Sequence, residues 1–334
     1  MTASAEPRVV ARAPQKRIPD FFIVGHAKSG TTALYEMLRR HPQIYMPDNK
    51  EPWFFARDNP RPETRSKTFD QTGRYPETLE DYLSLFAAAR ADQLLGEAST
   101  SYIWARTAAA RIAAVQPGAR IIAILREPAA FVRSLHLQLV ENCVETEKNL
   151  RRALALEQER REGRCIPRRA YWPQTLIYSD RVRYVEQLRR YHAVFPEDQV
   201  LVIIYDDFRA DNEATVRTVL RFLDLADTHP IAVQQANPTV SVRSVRLDNL
   251  IRTIRAGRGP VSGAVKATVK RSTSWELRRS VLYPLRRRIL YGDPPPPDES
   301  VMVELRRRFK PEVVALSDYL GRDLVTLWGY DSVE

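Results

Sequence analysis

The sequence predicts an α/β fold, in which helices flank a central parallel β-sheet. The prediction depends on three continuous apolar runs, at 21–24, 121–125 and 200–204. Unbroken apolar runs of this length are typical of strands buried on both faces, as the inner strands of a parallel sheet are. Patterns of helical period lie between these runs, and alternation of strand and helix indicates a parallel α/β sheet.

Each element follows from a local pattern. The first run, FFIV, leads through GHAKSGTT at 25–32 into an apolar helical stripe that ends at His41, which precedes a proline. Residues 56–76 are rich in Pro, Arg and Asp, and this composition indicates a long surface loop. A helical pattern over 182–191 precedes the third run, and Asp211 is placed to cap the helix behind it.

The ends of the chain have a different composition from its centre. Residues 1–18 show no periodicity, and we expect them to form a flexible tail. Four prolines at 294–297 indicate a stiff spacer before a last helix, whose apolar pattern runs from 301 to 320. We therefore expect a single domain over 19–334, with a basic helical elaboration at about 243–291.

The overall composition excludes several classes of protein. The chain has 334 residues, of which 44% are apolar and 28% charged, so it is not disordered throughout. No apolar run approaches the roughly 18 residues that a membrane-spanning helix needs. The two cysteines, Cys143 and Cys165, form neither a disulfide framework nor a zinc motif, and the histidines are scattered. We expect no metal and a cytoplasmic location.

The octet GHAKSGTT is the strongest local signal. Gly25 and Gly30 allow tight turns and the close approach of a ligand. The amides of the turn and of the helix N-terminus would point at one spot, which favours an anion. One cation and three hydroxyls surround that spot: Lys28, Ser29, Thr31 and Thr32. The octet therefore predicts a site for phosphate or sulfate.

The spacing of this octet differs from that of nucleoside triphosphatases. Their loop reads G-x-x-x-x-G-K-[ST], with Lys after the second glycine. Here Lys28 precedes Gly30, and Thr31 stands where that lysine would be. The magnesium-binding pattern is therefore absent. The alternative without a ligand is a helix start capped by Ser or Thr, with a solvated Lys28.

Arg126 predicts a second anion site. It directly follows the second apolar run, at the edge where open α/β sheets bind ligands, and its planar guanidinium suits a bidentate phosphate contact. Pro128 favours a helix start, which puts Ser134 about two turns along that helix. The alternative is a surface ion pair between Arg126 and Glu127 or another neighbour.

Four segments resemble the sulfotransferases that use 3′-phosphoadenosine 5′-phosphosulfate (PAPS). KSGTT at 28–32 resembles their 5′-phosphosulfate loop, and Arg126 with Ser134 is similar to their 3′-phosphate motif. NKEPWFF at 49–55 resembles the K-E-x-x-F-F segment of the branch that includes the heparan sulfate sulfotransferases. GEASTSY at 96–102 resembles the G-E-K-S-P-x-Y segment of the same branch.

The resemblance covers about residues 20–225 and implies a P-loop-like parallel sheet, the sulfotransferase fold, with PAPS as co-substrate and no metal. It assigns Glu51 the role of base. Lys28 is placed to stabilise the negative charge on the leaving 5′-phosphate. Pro52 biases Glu51, the residue before it, toward an extended backbone. The alternative for Glu51 is a solvated charge pair with Lys50. His136 is a second candidate acid or base, although a lone histidine at helical spacing is more often structural.

Three departures from the family pattern bear on the acceptor. Ala98 replaces the Lys of the G-E-K-S-P-x-Y segment, Thr100 replaces its Pro, and Trp53 replaces a His that often follows the catalytic Glu. A heparan-like acceptor is therefore in doubt. An apolar wall of Trp53, Phe54 and Tyr102 would suit a lipid, a sterol-like molecule or an aromatic compound, or would simply be core.

Positive charge is concentrated in one segment. The chain carries a net charge of +11, and residues 243–291, with thirteen Lys or Arg and two Asp or Glu, account for all of it. The segment would form solvated helix faces, contact the phosphates of PAPS, hold an anionic acceptor, or lie on an anionic membrane. We expect no specific nucleic acid partner.

The sequence thus predicts sulfuryl transfer from PAPS to a hydroxyl or amine of a carbohydrate, lipid or other small molecule. Two other classes of function stay open. A kinase or NTPase would hydrolyse ATP with Mg²⁺. A basic nucleic-acid or membrane-surface binding protein on an inactive sheet would bind DNA or anionic vesicles with a steep salt dependence.

Overall fold

The computed structural model describes most of the chain. The described residues are 17–56, 75–170, 172–226, 228–231, 241–242, 291–292 and 296–333. The predicted tail before residue 17, most of the loop predicted at 56–76, and nearly all of the basic segment at 243–291 lie outside them. No helix among the described residues is long and apolar enough to cross a membrane.

A parallel sheet forms the centre of the molecule, as predicted, and it has five strands. Its strands are β1 (Phe21–Ile23), β2 (Ile44–Tyr45), β3 (Leu94–Ala98), β4 (Arg120–Leu125) and β5 (Val200–Ile204). They lie in the order β2-β3-β1-β4-β5, and every neighbouring pair is parallel. A separate two-residue antiparallel pair joins β6 (Ser241–Val242) to β7 (Tyr291–Gly292).

Helices connect the strands and cover the sheet. Those before β5 are α1 (Thr31–Leu38), α2 (Leu79–Ser84), α3 (Ala108–Val115), α4 (Pro128–Glu141), α5 (Leu150–Ala155), α6 (Glu157–Arg161), α7 (Tyr178–Arg181) and α8 (Tyr184–His192). Among the described residues after β5, the helices are α9 (Tyr205–Ala210), α10 (Asn212–Phe222), α11 (Glu299–Leu320) and α12 (Leu324–Leu327). Single 3-10 turns lie at Pro173–Leu176 and Glu197–Gln199.

The first strand explains why its sequence is apolar without interruption. Phe22 packs into one hydrophobic cluster, while Phe21 and Ile23 pack into another on the opposite face of the sheet. All three side chains are fully buried. The continuous run therefore reflects burial on both faces, which is the basis on which the strand was predicted.

Several predicted helix boundaries are also confirmed. The helix α4 begins at Pro128, a residue favoured in the first turn. The side chain of Asp211 caps α10 by accepting a hydrogen bond of 2.9 Å from the amide of Ala214. The last predicted helix is α11, whose buried residues include Leu305 and Val313. The predicted boundaries thus agree with the observed helices at the start of α4 and α10 and along α11.

Candidate active site

The carboxyl ends of three adjacent strands bring the predicted site residues to one edge of the sheet. β1 lies between β3 and β4, and Ile23 pairs with Ala98 on one side and with Ile122 on the other. The loop at 25–30 therefore leaves the sheet between the segment that follows β3 and Arg126, which follows β4. In open α/β sheets this is where ligands bind.

Close packing shapes the loop after β1. A Cβ added to Gly25 would lie 2.5 Å from the backbone nitrogen of Ile124, so only glycine fits there. Gly30 adopts a φ of 85°, and a Cβ on it would lie 2.8 Å from the ring of Phe208. Lys28 also has a positive φ, of 64°. The chain therefore turns tightly between β4 and α9 to form the cradle that the sequence predicts.

The start of α1 differs from the ligand-free alternative, in which Ser or Thr caps the helix. The N-cap residue is Gly30, which offers no capping side chain to the free amides of the first turn. Ser29 is fully buried, and its hydroxyl has no hydrogen-bond partner among the described residues. Thr31 is buried and Thr32 half-buried. The loop thus holds free donors suited to an anion.

The ammonium group of Lys28 lies in a partly desolvated environment. Burial lowers the pKa of Lys28, the charge of Glu141 raises it, and the charge of Arg126 lowers it. On balance, the pKa of Lys28 lies below its ordinary value, because the surroundings stabilise its positive charge poorly. An anion bound at the loop would reverse this balance.

Arg126 reaches back to the same loop. Its Nη1 donates a hydrogen bond of 2.8 Å to the carbonyl oxygen of Lys28, and its guanidinium stacks over the ring of Tyr205 at 4.9 Å. Glu127 does not serve as its ion-pair partner. That carboxylate instead caps α4, where it accepts a hydrogen bond of 2.9 Å from the amide of Ala129.

The helix α4 carries the remaining predicted cofactor residue and a cation that the sequence analysis missed. Ser134 lies on a buried face of this helix. Beside it in sequence, Arg133 has its pKa lowered by burial and by the charge of Arg126. A second arginine close to Arg126 enlarges the positive region at this edge. The only indication of this role in the sequence was the position of Arg133 in the first two turns of the predicted helix.

Glu51 lies in a network of donors. Oε1 accepts a hydrogen bond of 2.8 Å from Nζ of Lys50, while Oε2 accepts bonds of 3.0 Å from Nε1 of Trp53 and 3.3 Å from the hydroxyl of Thr100. Burial raises the pKa of Glu51, but Lys50 and these hydrogen bonds together lower it below its usual value. The side chain is 29% exposed. Glu51 is therefore an ionised carboxylate that keeps access to solvent.

The backbone around Glu51 differs from the prediction. An extended conformation was expected before Pro52, yet Glu51 has a φ of 63° and Trp53 a φ of 54°. Hydrogen bonds to the end of β3 account for the difference. The amide of Glu51 donates to the carbonyl of Ala98 at 3.0 Å, and the amide of Trp53 to Oγ of Ser99 at 3.3 Å. Positive φ values in such residues are strained and need this support.

The predicted apolar wall is mostly core. Phe54 and Tyr102 are buried in the main hydrophobic cluster, and only Trp53 lies partly exposed beside Glu51. The indole of Trp53 stacks on the ring of Tyr75 with centroids 5.3 Å apart, and meets the ring of Trp172 edge-on at 4.6 Å. An aromatic cluster from three separate segments thus replaces the expected wall.

Two histidines serve the structure around the site. His136 has its ring nitrogens 3.1 Å from the hydroxyl of Tyr178 and 3.1 Å from the carbonyl of Lys148, in a buried setting. These contacts favour the structural alternative over an acid or base role. Nε2 of His26, in the loop at 25–30, lies 2.7 Å from Oε1 of Gln187. Burial lowers the pKa of His26 to about 3, so its ring is neutral at pH 7.

The described residues contain no cluster of three or more His, Cys, Asp or Glu side chains that could hold a metal ion. The geometry provides an anion cradle that contains Lys28, with Arg126 and Arg133 beside it, and the ionised carboxylate of Glu51. All of these lie at one edge of the sheet. This arrangement can bind a phosphorylated or sulfated molecule and accept a proton close to it.

Comparison with known proteins connects this arrangement to a family. The model of the sulfotransferase family matches residues 19–229. Human carbohydrate sulfotransferase 15 is 28% identical over 252 residues, which is 62% of this chain and 44% of that protein. Mouse heparan sulfate glucosamine 3-O-sulfotransferase 3B1 is 32% identical over 116 residues, covering 35% of this chain and 25% of that protein. The chain thus spans less than half the length of these relatives.

A solved structure extends the likeness to nearly the whole fold. The sulfotransferase from Alicyclobacillus acidocaldarius superimposes with a TM-score of 0.64 at 25% sequence identity, covering 93% of this chain and 99% of that one. The predicted sulfotransferase fold, with its central parallel sheet, is therefore confirmed. The carboxyl edge of that sheet is the part of the fold that carries the cradle and the carboxylate.

Proposed function

The chain belongs to the sulfotransferase family, and from this premise we propose that it transfers a sulfuryl group from PAPS to a hydroxyl or amine of a carbohydrate. The observation that carries the proposal is the meeting of an anion cradle and an ionised carboxylate at one edge of the sheet. Sulfuryl transfer resembles phosphoryl transfer, since it needs alignment and charge stabilisation more than covalent work by the protein.

The nucleotide would be held through its two anionic ends. Lys28, Ser29, Gly30, Thr31 and Thr32 take the 5′-phosphosulfate, and Arg126 and Ser134 take the 3′-phosphate. The free hydroxyl of Ser29 and the uncapped amides of α1 fit this assignment, because both need an acceptor that the described residues do not supply. The contact of Arg126 with the carbonyl oxygen of Lys28 also fits this assignment. It brings the residue assigned to the 3′-phosphate next to the loop assigned to the 5′-phosphosulfate, so one small molecule can reach both.

Two residues carry the chemical step. The acceptor oxygen or nitrogen forms a bond to sulfur while the bond from sulfur to the 5′-phosphate oxygen breaks. Glu51 takes the proton that the acceptor loses, and Lys28 stabilises the charge that develops on the departing phosphate. Lys50, Trp53 and Thr100 hold the carboxylate of Glu51 in its ionised form, as a base must be. The products are a sulfate ester or sulfamate and adenosine 3′,5′-bisphosphate.

Two observations support a carbohydrate as the acceptor class. The relatives named above are carbohydrate sulfotransferases. In addition, the rings of Trp53, Tyr75 and Trp172 cluster beside Glu51, and aromatic rings offer an apolar face to a sugar ring while polar groups fix its orientation. Ala98, which stands where the heparan-directed branch has lysine, argues against a highly acidic chain such as heparan sulfate.

The predicted contact of residues 243–291 with an anionic membrane, and the predicted cytoplasmic location, stay predictions. The basic segment lies almost wholly outside the described residues, so no contact in it bears on either. A membrane contact would be tested by sedimentation with vesicles that contain anionic lipid. Steep loss of binding with added salt is the expected result for an electrostatic contact.

Transfer of labelled sulfate from PAPS to a panel of neutral and acidic oligosaccharides tests the proposed function. We expect label in a sugar product with the wild-type protein and none with Lys28→Ala. Arg152→Ala, which removes an exposed cation on α5, is the matched control and should keep the wild-type rate. Lack of transfer to every sugar, with transfer to a lipid or a phenol instead, would overturn the carbohydrate assignment. Equal transfer by Lys28→Ala would overturn the proposed site.

A further inference from the structure

A buried tyrosine near the end of the described chain contacts the residue next to Arg126. Tyr330 follows α12 and is fully buried, and its hydroxyl donates a hydrogen bond to Oε1 of Glu127. The two residues are 203 positions apart in the sequence. Neither side chain takes part in the proposed transfer of sulfate, so the contact calls for another reason.

Two further contacts fix the segment that carries Tyr330. The guanidinium of Arg322 binds the carboxylate of Asp207 on α9 through both of its terminal nitrogens, with Nη2 2.8 Å from Oδ1. The indole Nε1 of Trp328 donates a hydrogen bond of 2.9 Å to Oδ2 of Asp206 on the same helix. These contacts tie the segment to α9, so the hydroxyl of Tyr330 meets the start of α4 from a defined position.

The carboxylate of Glu127 is directed to the start of α4. Its Oε1 accepts the amide of Ala129 at 2.9 Å as well as the hydroxyl of Tyr330, and its Oε2 accepts the amide of Ala130 at 2.5 Å. The side chain is buried, and a buried carboxylate is stable where it has such donors. Burial and the charge of Glu127 raise the pKa of Tyr330, so its hydroxyl keeps the proton that it donates.

The described contacts of Arg126, the residue before Glu127, include no carboxylate. Its guanidinium meets the carbonyl oxygen of Lys28 and the ring of Tyr205. An ion pair with Glu127 would compete with a phosphate for this guanidinium, because both ligands are anions that use the same donors. The position of the Glu127 carboxylate therefore bears directly on the proposed site for the 3′-phosphate.

We propose that Tyr330 is a positioning residue, which holds the carboxylate of Glu127 at α4 and so leaves Arg126 free for the 3′-phosphate. This inference rests on the proposed function, because it concerns the residue assigned to one end of the nucleotide. Tyr330 touches neither the nucleotide nor Arg126 in this account, and it acts only through Glu127.

Tyr330→Phe tests the inference, because it removes the hydroxyl and keeps the ring in the core. The carboxylate of Glu127 then lacks one donor and can turn to Arg126. We expect the affinity for adenosine 3′,5′-bisphosphate to fall about tenfold, while that for adenosine 5′-phosphate stays within about twofold of wild type. An unchanged affinity for the bisphosphate, or an equal loss for both nucleotides, would overturn the inference.

Two controls accompany this measurement. Retained binding of adenosine 5′-phosphate shows that Tyr330→Phe is folded. Tyr319→Phe is the matched control, because it removes a hydroxyl on α11 that lies 2.6 Å from Nδ1 of His192 on α8. It should change neither affinity, and a selective loss of the bisphosphate in this control would also overturn the inference.

A second substitution separates positioning from a role in packing alone. In the double variant Tyr330→Phe, Glu127→Gln, the side chain at 127 has no charge to pair with Arg126. We therefore expect the affinity for adenosine 3′,5′-bisphosphate to return to within about threefold of wild type. A loss caused by weaker packing would persist, because the hydroxyl is still missing. If the double variant binds the bisphosphate as weakly as Tyr330→Phe, the inference is wrong.

Glu127→Gln alone keeps the inference testable if Tyr330→Phe does not fold. With Tyr330 in place the carboxylate is already held away from Arg126, so loss of its charge should change the affinity for the bisphosphate by less than about threefold. Binding tighter by about tenfold would show that the carboxylate already competes for Arg126, and would overturn the inference. Equal wild-type affinity for the two nucleotides, or binding of neither, would instead count against the proposed function.

Discussion

The two halves of the candidate site are built in different ways. The cradle after β1 depends on local backbone shape: two glycines, a tight turn and the start of α1. The half around Glu51 depends on contacts between distant segments, since Ser99 and Tyr102 hold a backbone with positive φ values. A short motif specifies the local shape of the cradle, whereas the pose of Glu51 depends on residues that lie up to about fifty positions away in the sequence.

This difference determines which substitutions each half of the site should tolerate. The cradle should be sensitive to any Cβ added at Gly25 or Gly30, where Ile124 and Phe208 leave no room for one. The carboxylate half should respond to substitutions at residues that never touch the substrate.

Glu51→Gln should have the largest effect, and only on the chemical step. We expect kcat to fall by about 10² to 10⁴, because positioned proton transfer typically contributes that much. The affinity for adenosine 3′,5′-bisphosphate, measured by calorimetry, should stay at the wild-type value, because the cradle does not include Glu51. A wild-type rate in this variant would show that another group takes the proton.

Glu97→Gln should change how stability depends on pH. The folded-state pKa of Glu97 lies near 7, above its unfolded value of about 4.5, so the folded protein binds the extra proton between these pH values. Wild-type stability should therefore fall between pH 4.5 and 7 by roughly 2–3 kcal/mol relative to the variant. Urea unfolding at several pH values measures this, and parallel curves for the two proteins would contradict it.

Gly30→Ala should damage the cradle through both strain and crowding. The residue has a φ of 85°, and the new Cβ would lie 2.8 Å from Phe208. We expect a loss of roughly 2 kcal/mol in stability or in nucleotide affinity. Gly321→Ala is the matched control, because its φ is 59° but no atom lies within 4 Å. If the control weakens nucleotide binding as much, the cradle is not the nucleotide site.

Arg126→Lys should have the smallest effect, confined to the 3′-phosphate. The lysine keeps the charge but loses the planar stack on Tyr205 and the geometry for a bidentate contact. We expect about tenfold weaker binding of adenosine 3′,5′-bisphosphate and little change for adenosine 5′-phosphate. Arg120→Lys, at the opposite end of β4, should leave both affinities unchanged. Equal weakening for both nucleotides would move Arg126 to the 5′ end.

The same contrast explains how far the sequence could predict the fold. The strands β1, β4 and β5 were evident because they are unbroken apolar runs. β3 was noticed only as a motif, because Gly96 and Glu97 interrupt its apolar pattern, and Gly96 is needed where the ring of Phe21 crosses it. β2 has only two residues, too few for any periodicity.

Within the site, the sequence identified candidate residues but not the contacts between them. Lys28 and Arg126 were identified separately, and their direct contact depends on the parallel pairing of β1 with β4. The conformation of Glu51 was wrongly predicted as extended, because local preference before a proline was outweighed by bonds to β3. The burial of Glu97 was not predicted, because it depends on the pairing of β3 with β1.

Calorimetric titration with adenosine 3′,5′-bisphosphate in the presence of a metal chelator tests the central claim most directly. The account predicts a single site with micromolar or tighter affinity, lost in Lys28→Ala and kept in Arg152→Ala. Absence of binding, or tight binding of ATP that requires Mg²⁺ and leads to its hydrolysis, would contradict it.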